Sequence, residues 1–208
     1  DIREYIRRAD MSLAAIGYTE HSFAHVEKAA HNAAMILETL QYPARQVELA
    51  KIAGFLHDIG NVVNRVDHSQ SGAVMAFRIL DRMNFPPEEI AAIVTAIGNH
   101  DEGTGQPVSA FAAALILADK SDVRRSRVRD KATVALDIHD RVNYSVTDCH
   151  LEFDEQHTSI RLILTVDTEL GSVMEYLEIF MKRMLLCQKA AQALGLTFHL
   201  VINGQLLV

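Results

Sequence analysis

The sequence predicts a mostly α-helical bundle followed by a small C-terminal α+β unit with the element order β-β-α-β. Two patterns support this prediction. Over about the first two thirds of the chain, apolar residues recur at three- and four-residue intervals, as on the buried face of a helix. Beyond that region, two segments alternate between polar and apolar residues, which is typical of strands. We therefore expect a helical domain over residues 1–141 and an α+β unit over residues 142–208.

Five helices are predicted in the first part of the chain, near residues 21–40, 44–58, 69–83, 86–98 and from 109 onward. Residues that stop helices separate them, among them Pro43 and Gly60. The Pro-Pro-Glu-Glu run at 86–89 is typical of a first helical turn, which tolerates proline and favours acidic side chains. We expect the last helix to carry Asp119 in its middle and to continue through the basic run 122–130 as a solvated face.

The C-terminal unit is predicted to begin with strands at Tyr144–Phe153 and Ser159–Val166, joined by the polar turn Asp154–His157. A helix at Ser172–Leu194 and a strand at Leu196–Ile202 follow. One helix covers only one face of a small sheet, and the chain ends in an apolar Leu-Leu-Val segment. We therefore expect this unit to cover an apolar flank of the bundle and to help form a homodimer, without supplying a metal ligand.

Composition excludes several classes of protein. Of the 208 residues, 49% are hydrophobic and 23% are charged, which excludes a globally disordered chain. A net charge of −7 argues against binding to a nucleic acid duplex. The two cysteines form no paired motif, which excludes a disulfide scaffold and a cysteine-based zinc site. We find no long apolar run and no apolar signal-peptide core, so we expect a cytoplasmic protein that does not bind membranes.

Four histidines and two aspartates stand on successive predicted helices or at their ends. They are His25, His57, Asp58, His68, His100 and Asp119. Side chains of this kind on facing helices of a bundle are suited to metal binding. A mixed imidazole and carboxylate set favours one or two divalent transition metals, Fe, Mn, Zn, Co or Ni, over Mg²⁺, which prefers oxygen ligands.

The order and spacing of these residues resemble the HD-domain superfamily of metal-dependent phosphohydrolases. The shared pattern is H…HD…H…H…D, and it spans roughly residues 20–129. The strings HDIG at 57–60, HxxxGA at 68–73 and LAD at 117–119 each resemble a motif of this family. Each string alone is weak evidence, but the combination is specific.

The resemblance implies that one metal is held by His25, His57, Asp58 and Asp119. The additional pair, His68 and His100, resembles the dinuclear subset of the family, in which Asp58 also bridges to a second metal. The resemblance further implies that a hydroxide bridging the metals cleaves a phosphate ester or phosphoanhydride of a nucleotide-like substrate. Two divalent cations would lower the pKa of a shared water and stabilise the charge that develops on a phosphoryl group.

Protein cations are expected to help bind the phosphorylated substrate. Lys120 directly follows Asp119, and a continuous helix would place Arg124 and Arg127 near the face of Lys120. We predict Asp58 and Lys120 as catalytic residues, and Lys120 and Arg124 as substrate-binding residues.

Other features limit these assignments. The residue after HDIG is Asn61, where the cyclic-di-GMP branch of the family has lysine, and the GYP signature of that branch is absent. The six-ligand pattern looks closer to the branch that hydrolyses dinucleoside polyphosphates, although no residue identifies a nucleotide base.

Two other functions stay open: a mixed-valent di-iron oxygenase, and a non-catalytic regulatory or interaction protein with a metal site. His21, four residues before His25, could touch the site, but we favour a capping or surface role for it.

Overall fold

Eight α-helices and a four-stranded sheet make up the computed structural model, which describes residues 1–208. The helices are α1 (Ile2–Ala15), α2 (Phe23–Thr39), α3 (Ala44–Leu56), α4 (His68–Arg82), α5 (Pro87–Gly98), α6 (Ala110–Lys120), α7 (Ile138–Ser145) and α8 (Val173–Ala193). The strands are β1 (Val146–Phe153), β2 (Ser159–Val166), β3 (Thr197–Ile202) and β4 (Gln205–Leu206). Short 3-10 helices occupy Ile59–Val62, Arg125–Arg127 and Lys131–Thr133. This order confirms the predicted helical bundle with a C-terminal α+β unit.

The sequence prediction missed α1, α7 and the short strand β4. In α1 only Ile6, Ala9 and Leu13 are buried, so its apolar stripe is narrow among charged residues. Helix α7 has eight residues, too few for a clear period, and it begins where the side chain of Asp137 caps two backbone N–H groups.

The prediction that α6 continues through the basic run was wrong, because α6 ends at Lys120 and Asp119 is its penultimate residue. The chain leaves the helix at this point because Asp122 is fully buried, with Oδ2 only 2.8 Å from Nδ1 of His25. Arg127 is also buried and donates to the backbone carbonyls of Glu20 and Asp122. The run is therefore partly interior and does not form a solvated helix face.

The bundle is built around α2, α3 and α6. Every residue of α6 from Ala112 to Lys120 is buried, so this helix runs through the interior. Helices α2 and α3 pack closely because Gly54 has no side chain: a Cβ there would lie 2.6 Å from Cα of Ala30. This close contact fixes the end of α3, next to His57 and Asp58, against the middle of α2, within two turns of His25.

The sheet has the strand order β1-β2-β3-β4. Strand β2 pairs antiparallel with β1 and parallel with β3, and α8 makes the crossover that a parallel pair requires. Apolar residues of the sheet and α8 share one core with α2 and α6, for example Leu162, Phe180, Ile36 and Leu117. The C-terminal unit is therefore packed directly on the helices of the bundle.

The boundary predicted at residue 141 falls inside α7, and the division into two domains stays a prediction. The homodimer also stays a prediction, although the terminal residues Leu206, Leu207 and Val208 are exposed. None of the helices is both long enough and apolar enough to span a membrane.

Replacing Gly54 by alanine is expected to lower the melting temperature, because the new methyl group forces α2 and α3 apart. Overpacking of this kind costs on the order of 1–3 kcal/mol. The matched control is Gly98→Ala at the end of α5, where the added Cβ meets Cβ of Ala73 at an ordinary 3.7 Å. The control should melt at or above the wild-type temperature. Equal melting of the Gly54 variant and the wild type would contradict the close packing.

Candidate metal centre

The six side chains predicted as ligands lie together in the interior of the bundle. Each stands near the end of a helix: His25 in the first turn of α2, His57 and Asp58 just after α3, His68 at the start of α4, His100 just after α5 and Asp119 near the end of α6. None is more than 9% exposed. The structure therefore brings all six together, although His25 and Asp119, the first and the last of them, are far apart in the sequence.

Backbone carbonyls orient three of the four imidazole rings. In each case Nδ1 lies close to the carbonyl oxygen three residues earlier: Gly54 for His57 (2.7 Å), Arg65 for His68 (3.1 Å) and Ile97 for His100 (2.6 Å). A carbonyl only accepts hydrogen bonds, so Nδ1 carries the proton and Nε2 keeps its lone pair, which at His68 accepts a hydrogen bond from Nη1 of Arg65 over 3.3 Å. Neutral imidazoles in this tautomer are ready to bind a metal through Nε2.

The fourth ring, that of His25, is oriented by a carboxylate that the sequence analysis did not identify. Nδ1 of His25 donates to Oδ2 of Asp122 over 2.8 Å. Burial alone would raise the pKa of Asp122, but the hydrogen bond from His25 and the charge of Arg127 hold it well below its usual range. A carboxylate that fixes the tautomer of a ligating histidine is common at metal sites.

One group of donor atoms has the spacing expected around a single ion. Nε2 of His25 lies 3.2 Å from Nε2 of His57 and 3.2 Å from Oδ1 of Asp119, and the third distance, His57 to Asp119, is 3.6 Å. Oδ2 of Asp58 lies 3.5 Å from His25 and 3.4 Å from His57. Donors that bind one ion at 2.0–2.2 Å are about 3.0–3.5 Å apart.

A second group of donors meets the first at Asp58. Its Oδ1 lies 3.5 Å from Nε2 of His68, which is 3.2 Å from Nε2 of His100. The two carboxylate oxygens of Asp58 thus face different histidines. Two overlapping sets have all ligand atoms within 4.8 Å of one another: His25, His57 and Asp119, and His57, Asp58 and His100.

The hydrogen bonding of Asp58 shows whether the site suits a cation. Its Oδ2 is the only buried side-chain oxygen or nitrogen without a hydrogen-bond partner. A buried, unpaired carboxylate oxygen is costly, and the nearest polar atoms are lone pairs of imidazole nitrogens, which cannot satisfy it. A divalent cation satisfies the carboxylate and the imidazoles at once, so the donor set fits a metal.

Electrostatics favours the protonation states that metal ligands need at His68, His100, Asp58 and Asp119. His57 differs: burial lowers its pKa, but the adjacent Asp58 and Asp119 carboxylates outweigh burial and raise it, so binding of a metal there displaces a proton. Burial lowers the pKa of His100 to about 3, and burial also lowers the pKa of His68. Burial alone would raise the pKa of Asp58 and of Asp119, but His57 beside Asp58 and Lys120 beside Asp119 hold both pKa values well below their usual range. His68 and His100 are therefore neutral and both carboxylates ionised at neutral pH.

The centre opens into a polar cavity of about 470 Å³. Asp58, His68 and Asp119 are exposed to it, and the cations Arg65, Lys120 and Arg183 also line it. Carboxylates other than the predicted ligands line it as well, namely Asp101, Glu102, Asp137 and Asp140, so the cavity can hold an anion only where a metal or a protein cation faces it.

Of the two predicted substrate-binding cations, the structure brings only Lys120 to this cavity. Its Nζ lies 2.7 Å from Oδ2 of Asp119. Arg124 does not line the cavity and instead donates hydrogen bonds to Asp122 and Glu20. Its position differs from the prediction because α6 ends at Lys120, before Arg124.

Several cavity residues were not identified from the sequence. Arg65 and Arg183 carry no motif that could have indicated them. His21 is half-buried and lines the cavity, 5.3 Å from His25 between ring centroids, which agrees with the alternative that it touches the site more than with the favoured surface position. The four-residue spacing of these two histidines was the one available signal.

The chain is similar to one known family and to two known proteins. Residues 22–147 match the HD domain family model. An uncharacterized protein, MJ1020, of Methanocaldococcus jannaschii is 26% identical over 190 residues, covering 80% of this chain and 73% of that protein. A crystal structure of a predicted HD superfamily hydrolase from an uncultured Thermotogales bacterium is 26% identical, with a TM-score of 0.47, over 59% of this chain and 67% of that one. Because the family model matches more than half of its length, the chain belongs to the HD domain family.

Proposed function

We propose that this protein is a metal-dependent phosphohydrolase that cleaves a phosphate ester or phosphoanhydride of a small, nucleotide-like substrate. The observation that carries the proposal is the buried Oδ2 of Asp58, which has no protein partner and faces the lone pairs of two histidines. A divalent cation pairs with this oxygen and with both nitrogens at once, and the group lies beside a cavity lined by cations and carboxylates.

In this proposal the first ion is held by His25, His57, Asp58 and Asp119, and the second by Asp58, His68 and His100. Such donors suit Fe, Mn, Co, Ni or Zn. When bound, two divalent ions acidify a water molecule and neutralise charge on a phosphoryl group.

The charge balance of the site supports an anionic substrate. Four neutral imidazoles and the two carboxylates Asp58 and Asp119 contribute a charge of about −2, whereas two divalent ions contribute about +4. The remaining positive charge, about +2, balances the negative charge of a phosphate dianion.

Lys120 has two roles in the proposal. Its ammonium group lies against Oδ2 of Asp119, so it keeps that carboxylate ionised and leaves Oδ1 directed towards His25. Because Lys120 also lines the cavity, its remaining protons can be donated to a phosphoryl oxygen or to the oxygen of the departing group.

The function is tested by metal analysis of freshly purified protein, followed by a screen of phosphomonoesters, phosphodiesters and nucleoside phosphates with that metal restored. We expect hydrolysis that stops on addition of a chelator and returns with the metal. Oxygen consumption with an organic substrate, in place of phosphate release, would support the di-iron oxygenase. Absence of any turnover, together with a stable protein partner, would support a regulatory role.

Asp58→Ala is expected to abolish binding of both ions, because one carboxylate serves both and its loss leaves two neighbouring cations under-compensated. Elemental analysis measures the number of ions per chain. Asp81→Ala, which removes an exposed carboxylate on α4, is the matched control and should retain the wild-type content. Two ions per chain in the Asp58 variant would reject its bridging role.

His68→Ala and His100→Ala are each expected to lose one of the two ions, since these residues bind only the second. His150→Ala removes an exposed histidine on β1 and serves as the control. If both variants keep full metal content and normal turnover, the two histidines are not ligands.

A further inference from the structure

The C-terminal helix α8 contributes a cation to the wall of the metal cavity. Arg183 and Phe180, both on α8, line the cavity together with residues of the bundle. The guanidinium carbon of Arg183 lies 4.1 Å from the centroid of the Phe180 ring, so the charged group stacks on an aromatic face. This stacking holds the arginine in place before any ligand binds.

Most hydrogen-bonding capacity of Arg183 is unused. Its only hydrogen bond within the protein runs from Nε to Oε1 of Glu102, over 2.7 Å. Neither terminal nitrogen, Nη1 or Nη2, has a protein partner, and neither is sealed in the interior, since the only buried polar atom without a partner belongs to Asp58. The side chain is 19% exposed, so these donors open towards the cavity or its mouth.

Arg127 also lines the cavity, but its hydrogen bonding differs from that of Arg183. It is buried, and its Nε and Nη1 donate to the backbone carbonyls of Glu20 and Asp122. Two of its three nitrogens are therefore used by the fold and it cannot offer its two terminal nitrogens as a pair, whereas both terminal nitrogens of Arg183 are available to a ligand.

Arg183 also lies close to the metal centre through a short chain of ion pairs. Oε1 of Glu102, which binds Arg183, is 3.9 Å from Nζ of Lys120, and Nζ is 2.7 Å from Oδ2 of Asp119. Glu102 comes two residues after His100. The free donors of Arg183 therefore lie on the side of the cavity that contains Lys120 and Asp119.

We propose that Arg183 binds a phosphoryl group of the substrate through its two terminal nitrogens, so that the C-terminal unit supplies a substrate contact to the metal site. The inference rests on the proposed phosphohydrolase function, because it assigns a contact within that site. A planar guanidinium donates two parallel hydrogen bonds to phosphate oxygens, which a lysine cannot do. The ligand is a small molecule that carries a dianionic phosphate.

A purely structural role is the competing explanation. In that case Arg183 only ties α8 to the segment after His100, by holding Glu102 in place. The variant Glu102→Gln separates the two roles, since it removes the ion pair and leaves the donors of Arg183 in the cavity.

The test measures binding of inorganic phosphate to the metal-loaded full chain by calorimetry. Arg183→Gln is expected to weaken phosphate binding about 10- to 100-fold, the effect of losing charge-assisted hydrogen bonds. Arg183→Lys should lose less, because it keeps the charge without the paired donors. Glu102→Gln should stay within about threefold of the wild type in this assay. The matched control, Lys182→Gln, removes an exposed cation from α8 and should leave binding unchanged.

Metal content and melting temperature are measured for every variant, and Arg183→Lys tests the contact if the glutamine variant folds poorly. Wild-type phosphate affinity in both Arg183 variants would overturn the proposal. Equal weakening by Glu102→Gln, or loss of metal in the Arg183 variants, would also overturn it in favour of the structural role.

The inference and the proposed function can fail separately. If Arg183→Gln weakens phosphate binding while the wild type hydrolyses no ester, the contact stands and the phosphohydrolase assignment fails. If esters are hydrolysed and Arg183→Gln changes neither phosphate affinity nor KM, the function stands and the contact is rejected.

Discussion

The arrangement of this molecule depends on how two buried carboxylates are held among four imidazoles whose lone pairs converge. Helix ends make this possible. The last carbonyls of a helix have no partner within it, and those of Gly54 and Ile97 accept from Nδ1 of the histidines that follow α3 and α5. The same hydrogen bonds satisfy the helix ends and turn Nε2 inwards. Helices α3, α5 and α6 therefore end, and α2 and α4 begin, beside a predicted ligand, and Oδ2 of Asp58, between the two sets of donors, has no hydrogen-bond partner in the protein.

The ligand set and most of the helices could be predicted from the sequence because both are encoded locally. Apolar spacing defines the buried face of each helix, and the six ligands follow the helix breaks in a recognisable order. The end of α6 could not be predicted in this way. The residues after Lys120 are compatible with a continuing helix, and the chain turns because Asp122 is drawn into the interior by His25, which lies 97 positions earlier. No local pattern contains that contact.

The cavity wall was unpredictable for the same reason. Arg183 and Glu102 are 81 residues apart and belong to no shared motif, and they meet because α8 packs on α6 within a common core. The sequence indicated which residues resemble metal ligands, since their chemistry is specific. It did not indicate which of 20 lysines and arginines face the site, because most such residues are solvated and their spacing carries no signal.

The predicted metal ligands and the unpredicted cavity cations have different physical roles in the proposed site. The metal donors belong to the bundle, where carbonyl contacts and burial hold them in one geometry. The donors proposed for the substrate lie partly on α8, whose position is set by packing: Met184 and Cys187, next to Arg183 on the helix, are buried in the same core as Leu117 of α6. Because Arg183 is already stacked on Phe180 before an anion arrives, little side-chain freedom remains to be lost when one binds. Under the proposed function, the bundle determines the reaction, and the packing of α8 on the bundle determines which phosphorylated molecules are bound.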